Sequence, residues 1–185
     1  MRVHNRARLV RAAAVALVGV ALGLMLGKAP RAAAKAGRVL HGDWEKQLKA
    51  EHRAIKRLLK GMAETEVGEA AKRSSLLEQV SEALTRHAVE EENIVYPALT
   101  ATGVGGEVGD LFDDHAEMKT LIRQLETMGP EAVEWGPTAK SLKDLVYRHV
   151  RQEEQSCFPL LHDQTSDGAN QGLTRLVRRE AARVV

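Results

Sequence analysis

Residues 86–99 read RHAVEEENIVYPAL, and residues 148–161, which lie 62 positions later, read RHVRQEEQSCFPLL. Both stretches begin with Arg-His, contain a His-x-x-x-Glu pair and end with an aromatic residue before proline. In an α-helix, positions i and i+4 lie on the same face, so each stretch presents an imidazole and a carboxylate to one point. The two stretches therefore predict a pair of similar helices with metal-ligating side chains.

The duplication extends beyond these two stretches. His52 and His115 lie 63 positions apart, and each precedes one His-x-x-x-Glu pair. Similarity at a fixed offset indicates repeated structural units, and a period near 62 fits two helical hairpins. The first unit is expected from about residue 43 to 99, and the second from about 106 to 161.

The spacing of apolar residues is helical along both units and predicts an all-α fold. Helices are expected at about 43–62, 69–95, 107–128 and 138–157, with Pro97 and Pro159 ending the second and fourth because proline lacks an amide hydrogen. The apolar positions expected to face inward are Leu48, Ile55, Leu59, Met62, Leu77, Val80, Leu84, Val95, Leu111, Met118, Ile122, Leu125, Leu142, Leu145, Val146 and Cys157.

Six polar residues lie in the middle of these apolar faces. A buried carboxylate is costly unless a cation compensates it, so two of them in one core favour a metal site. Six ligands exceed the four of a structural zinc, and two carboxylates that can bridge suit a pair of metal ions. Imidazole with carboxylate favours iron, with zinc and manganese as alternatives. The predicted ligands are His52, His87, Glu91, His115, His149 and Glu153.

The neighbouring residues have simpler interpretations. Glu90, Glu92 and Glu154 are expected to be surface charges, and Tyr96 and Phe158 to be apolar caps. For Tyr96, a hydroxyl that hydrogen-bonds near the metals is the alternative.

The order His, His-x-x-x-Glu, His, His-x-x-x-Glu over residues 43–161 resembles that of the hemerythrin-like, HHE cation-binding proteins. The resemblance implies an up-down-up-down antiparallel four-helix bundle that holds two iron ions, with the four histidines as terminal ligands and Glu91 and Glu153 as bridges. Oxygen-carrying hemerythrins have a second histidine one turn after the third-helix ligand, where this chain has Lys119. One nitrogen ligand fewer leaves an open coordination position and argues against reversible oxygen carriage.

Three functions are compatible with this interpretation. The favoured one is a non-enzymatic di-iron protein that captures or senses O2 or NO, or handles iron. A di-iron oxidoreductase that consumes peroxide or NO is the first alternative, and a metal store or structural metal bundle is the second. No catalytic residue is assigned.

Residues 1–42 differ in composition from the rest of the chain. They contain eight of the 27 basic residues and none of the 25 acidic ones, so residues 43–185 carry a net charge of −6. An apolar run over residues 12–27 and the small residues at 32–36 predict an N-terminal apolar helix that serves as a cleaved export signal or a membrane anchor. The protein is thus expected to be exported or membrane-attached.

The expected domains are 1–42 as leader and linker, 43–162 as the metal-binding domain, and 163–185 as a polar linker and short amphipathic helix. Acidic residues are interleaved with the basic ones, and no nucleic-acid-binding motif is present, so no nucleic-acid partner is expected. Cys157 is the single cysteine, which excludes an internal disulfide. The oligomeric state is left open.

Overall fold

The computed structural model describes residues 44–103 and 105–183, and this part of the chain contains helices and no strands, as predicted. Single turns of π-helix, Glu91–Val95 and Glu153–Cys157, join α2 to α3 and α5 to α6. The predicted N-terminal apolar helix lies outside the described residues. The α-helices are α1 Trp44–Ala63, α2 Ala70–Glu90, α3 Tyr96–Thr100, α4 Gly105–Met128, α5 Trp135–Gln152, α6 Phe158–Gln164 and α7 Asp167–Ala181.

The prediction that Pro97 and Pro159 end their helices is wrong. Each proline lies in the first turn of a further helix, α3 or α6. Proline is tolerated there because the first amides of a helix need no partner within it. The helical path therefore continues past both His-x-x-x-Glu pairs.

The inward faces of the four long helices follow the predicted apolar pattern. All sixteen apolar positions expected to face inward are buried, from Leu48 in α1 to Cys157 after α5. α1 packs against α2 and α5, and α4 packs against α5, whereas α2 and α4 share fewer contacts. Gly129, at φ 79°, comes directly after the last residue of α4 and turns the chain toward α5. The apolar spacing thus specified which side of each long helix is buried.

The apolar core consists of two clusters. One cluster includes Ile55, Leu84, Met118 and Val146, and the other includes Leu48. The predicted ligands occupy helix positions between these clusters, for example His52 between Leu48 and Ile55. The polar groups therefore form a layer inside an otherwise apolar interior.

The C-terminal helix α7 packs on the second cluster. Leu173 and Val177 are buried there, and α7 contacts α1 and α2. The Trp44 indole donates to Asn170 Oδ1 at 3.0 Å, and the Trp44 amide donates to Thr174 Oγ1 at 3.1 Å. Helix α7 is amphipathic, as expected, and docks on the helices that carry the polar layer.

Among the helices of the described residues, none has the length and apolar character needed to cross a membrane. The apolar run at 12–27 lies outside the described residues, so the expected leader or anchor remains a prediction.

Candidate metal centre

The structure brings the six predicted ligands together in the polar layer. The side chains of Glu91 and Glu153 are completely buried, and the four histidines are at most 3% exposed. The potential ligand atoms form two groups, within each of which they lie no more than 4.8 Å apart, and Glu91 belongs to both. One group is His52, His87, Glu91 and Glu153, and the other is Glu91, His115 and His149.

The two oxygens of Glu91 face different histidines. Oε1 lies 3.2 Å from His87 Nε2 and 3.7 Å from His52 Nε2, whereas Oε2 lies 3.5 Å from His115 Nε2. Glu153 Oε2 faces His52 Nε2 at 3.2 Å and His149 Nε2 at 3.4 Å. A carboxylate directed to two ligand groups is the arrangement that a bridge between two metal ions requires.

Several inward atoms of this cluster contact one another without the geometry of a hydrogen bond. They are Nε2 of His52 and His87, Oε1 of Glu91 and Oε2 of Glu153, all buried. Buried polar atoms are rarely left unsatisfied, because the lost hydration costs free energy. Lone pairs from nitrogen and oxygen that converge on a buried point fit a divalent or trivalent cation, so the residues present suit a metal centre.

Each histidine is also held from its outer side by a carboxylate. A carboxylate accepts hydrogen bonds only, so Nδ1 carries a proton, and Nε2 presents its lone pair inward once the ring is neutral, as a metal ligand must be. The Nδ1–oxygen distances are 2.8 Å for His52–Glu154, 3.0 Å for His87–Glu51, 2.9 Å for His115–Glu92 and 3.3 Å for His149–Asp114.

These outer carboxylates revise the expectation of simple surface charges. Glu92 and Glu154 are partly buried and hold ligand histidines, while Glu90 is completely buried. The sequence contained a signal, because an acidic residue precedes the first histidine of each unit, at Glu51 and Asp114. The duplication therefore includes the groups that orient the ligands.

Tyr96 contributes its hydroxyl to the cluster. This was the alternative from the sequence, which favoured Tyr96 as an apolar cap. The hydroxyl donates to Glu153 Oε1 at 2.8 Å and lies 3.2 Å from His115 Nε2 and 3.4 Å from His149 Nε2. Burial and the carboxylates of Glu91 and Glu153 raise the pKa of Tyr96 well above its usual value, so the phenol is protonated at neutral pH. Its counterpart in the second unit is Phe158, and the two halves of the centre therefore differ.

The similarity of the chain to known proteins identifies its family. The family description "Hemerythrin HHE cation binding domain" matches residues 45–161. The chain belongs to this family. The chain therefore has a cation-binding domain whose buried histidine and glutamate side chains are grouped as metal ligands would be.

A solved structure and a curated protein are similar to this chain. The crystal structure of an HHE cation-binding domain-containing protein from Mycobacterium kansasii matches with a TM-score of 0.68 and 19% identity, over 78% of this chain and 88% of that one. This likeness supports the fold alone. A protein of Nostoc sp. called a DNA nickase is 35% identical over 88 residues, which are 48% of this chain but only 25% of that protein.

The charges of the HHE centre balance one another in the metal-free state. Burial lowers the pKa of His87, but the carboxylates of Glu91 and Glu51 have a larger, opposite effect and bring the pKa to about 9. Burial also lowers the pKa of His52, and the carboxylate of Glu153 raises it well above the usual value. For Glu91, burial raises the pKa, but the charge of His87 brings it well below the usual range. Protonated imidazoles therefore supply positive charge in the metal-free protein.

A small cavity of about 30 Å³ adjoins the histidines of the HHE centre. All four of them contribute to its wall, together with apolar side chains. A cavity of this size has room for one or two molecules as small as water. Its remaining lining residues are Ile55, Leu84, Thr85, Ala88, Met118, Lys119, Ile122, Val146 and Val150.

Cys157 is an inert neighbour of the HHE centre. Its side chain is 2% exposed, and burial together with the Glu153 carboxylate raises the pKa of the thiol to about 11. The thiolate, which is the reactive form, is therefore scarce at neutral pH. This agrees with the sequence interpretation of Cys157 as a buried apolar residue.

Proposed function

We propose that this HHE domain holds two iron ions through the six predicted residues and that it captures or senses O2 or NO. The observation that carries the proposal is the set of buried inward atoms that make no hydrogen bond in His52, His87, Glu91 and Glu153. Four imidazoles and two carboxylates suit iron, and zinc or manganese would fit the same atoms less well. Glu91 and Glu153 would be the carboxylates that hold the two ions together with the four histidines.

The pair of iron ions would supply an open coordination position at which a small molecule binds. The protein's own contribution is to orient the ligand nitrogens and to keep bulk water away. The adjoining cavity supports this proposal, because its wall is largely apolar and it has the size of a diatomic molecule. Apolar cavities of this kind favour neutral gases over polar solutes.

Several broader features belong to the same proposal. The contacts of α1 with α2 and α5, and of α4 with α5, support an up-down-up-down four-helix bundle, with α7 as an addition. The domain limits of 43 and 162 and the export or membrane attachment through residues 1–42 are proposed on sequence grounds. The activity in the name of the Nostoc relative is that of a much longer protein and is not proposed for this chain.

Spectroscopy of the iron-loaded protein tests the proposed function. We expect new visible absorption when O2 or NO is added to the anaerobic diferrous protein and, for NO, a return to the starting spectrum when the gas is removed. An unchanged spectrum with both gases would contradict capture or sensing. Stable binding of zinc in preference to iron would favour a metal store instead.

A second candidate, a di-iron oxidoreductase, is favoured by the position of Tyr96. Its protonated hydroxyl lies within hydrogen-bond distance of Glu153, His115 and His149, so it could donate a hydrogen bond to a substrate bound beside them. Repeated consumption of hydrogen peroxide or NO, with a large loss in Tyr96→Phe, would favour this candidate. Reversible binding without consumption would favour capture or sensing.

A further inference from the structure

The exposed residues in the cavity wall show where a ligand enters. Of the thirteen lining residues, eleven are buried, and only Thr85 and Lys119 are exposed. Thr85 lies on α2 and Lys119 on α4, the two neighbouring long helices that share fewer contacts. The mouth of the cavity therefore lies between these two helices.

Lys119 is held over this mouth by an ion pair. Its ammonium group lies 2.8 Å from Glu92 Oε1, and the same oxygen lies 2.9 Å from Nδ1 of His115. The Lys119 side chain is 61% exposed and the Glu92 side chain 25%. The lysine thus places an aliphatic stem beside an apolar cavity while its charged end is tethered in solvent.

We propose that Lys119 controls the rate at which a small neutral ligand enters and leaves the metal cavity. This proposal rests on the proposed function. An exposed ion pair is weak and is screened by salt, so the tether opens often and its opening depends on ionic strength. A cover of this kind changes the entry and exit rates by the same factor and leaves the binding equilibrium unchanged.

The test measures NO association and dissociation rates by stopped flow with the iron-loaded full chain. Lys119→Met keeps the stem but removes the tether, and we expect both rates to rise roughly two- to fivefold, the factor that corresponds to a weak exposed ion pair. Lys119→Ala also removes the stem and should raise both rates further. Thr85→Leu narrows the mouth and should lower both.

Two controls separate a cover from a general effect of charge or folding. Raising the salt concentration from about 0.05 M to about 1 M should accelerate NO entry in the wild type but not in Lys119→Met, since NO is neutral. Lys72→Met removes an ion pair of the same 2.8 Å length, with Glu69, outside the cavity and should change neither rate. The iron content of the iron-loaded variants and the thermal unfolding of the metal-free variants are each compared with the wild type.

The outcomes distinguish this proposal from the proposed function. If the wild type binds NO and the Lys119 variants have unchanged rates, the role of Lys119 is wrong while the proposed function stands. If only one of the two NO rate constants changes, the NO dissociation constant changes too. Lys119 would then contact the ligand, and its role as a cover would be overturned. If the iron-loaded wild type binds no NO, the proposed NO binding fails, and the proposal for Lys119 fails with it.

Discussion

Each histidine of the centre lies between an inner and an outer carboxylate. His87, for example, has Nε2 3.2 Å from Glu91 and Nδ1 3.0 Å from Glu51. The outer carboxylate fixes the tautomer and the ring orientation, and the inner one completes the ligand set. The geometry at the residue level is therefore suited to binding a cation with little rearrangement.

Replacing Glu91, the carboxylate that both groups share, tests the predicted ligands most directly. Glu91→Ala should reduce metal content from two ions to fewer than one per chain, because its two oxygens face both ligand groups. Glu153→Ala should also abolish the metal pair. Metal analysis and circular dichroism measure binding and helix content, with the exposed Glu78→Ala as the control. Two metals retained in both variants would refute the ligand assignment.

The outer carboxylates give a second prediction. Glu51→Ala and Asp114→Ala should each weaken metal binding by about 10- to 100-fold, because the ring that each one orients becomes free to rotate. Competition with a chelator measures the affinity, and Glu51→Gln should recover part of it because the amide oxygen still accepts a hydrogen bond. Unchanged affinity in both alanine variants would show that packing alone orients the histidines.

At the residue scale, the sequence was sufficient to find the six residues that cluster in the core and insufficient to find the side chains that support them. The six ligands interrupt apolar stripes, and the spacing of a single helix reveals such positions. Glu92 and Glu154 contact histidines on other helices, so no local pattern separates them from surface charges. The role of Tyr96 is equally hard to predict from sequence, because its ring packs as an apolar residue while its hydroxyl reaches the centre.

At the scale of elements, the two π-helical turns position the aromatic residues that come after Glu91 and Glu153. Each turn begins at a predicted bridging glutamate, and the amides of Tyr96 and Phe158 donate to the carbonyls of Glu91 and Glu153, five residues back. A π turn is in effect a one-residue insertion into an α-helix, and such turns are frequent at functional sites. The turns thus set the direction of the two aromatic side chains.

Inserting one residue into the first π turn tests this role. With an alanine added after Asn93 the turn cannot absorb the extra residue, and Tyr96 would rotate by about 100° away from the centre. We expect metal affinity to fall about tenfold or more, as when a supporting group is lost, with little change in helix content. Asn93→Ala is the matched control, because it removes only a surface hydrogen bond to Glu180. Equal affinity in the insertion variant would contradict the assigned role.

The long helices were predictable because apolar residues recur at helical spacing along them. The π turns were not, since one extra residue alters the hydrogen bonding without breaking the apolar pattern. Proline misled the prediction for the same reason: Pro97 and Pro159 come after a π turn and lie in the first turn of a new helix, where no amide hydrogen is required.

At the scale of the molecule, the metal-free protein has a buried layer of opposite charges between two apolar clusters. The pKa of His87 is raised to about 9 from 6.5, so its stabilising effect is complete below pH 6.5 and is lost as pH rises through 9. The pKa of Glu91 is lowered from 4.5, so its effect is present above pH 4.5 and is lost as pH falls through the lowered value. Stability is therefore expected to be highest at weakly acidic pH.

Urea unfolding of the metal-free protein measures this dependence. The free energy of unfolding should be higher near pH 6 than near pH 9, whereas metal affinity should rise with pH because protons compete for the same nitrogens. His87→Gln should flatten the profile of the metal-free protein. A metal-free protein that is equally stable or more stable at about pH 9 would contradict the assigned charge states.

The number of iron ions that one chain binds decides whether both helical units contribute to the centre. The full chain is loaded with ferrous iron without oxygen, freed of excess metal and analysed for iron and protein. We expect two irons per chain, since the two helical units supply two groups of potential ligands that share Glu91. One iron per chain, or none, would contradict a centre built from both units.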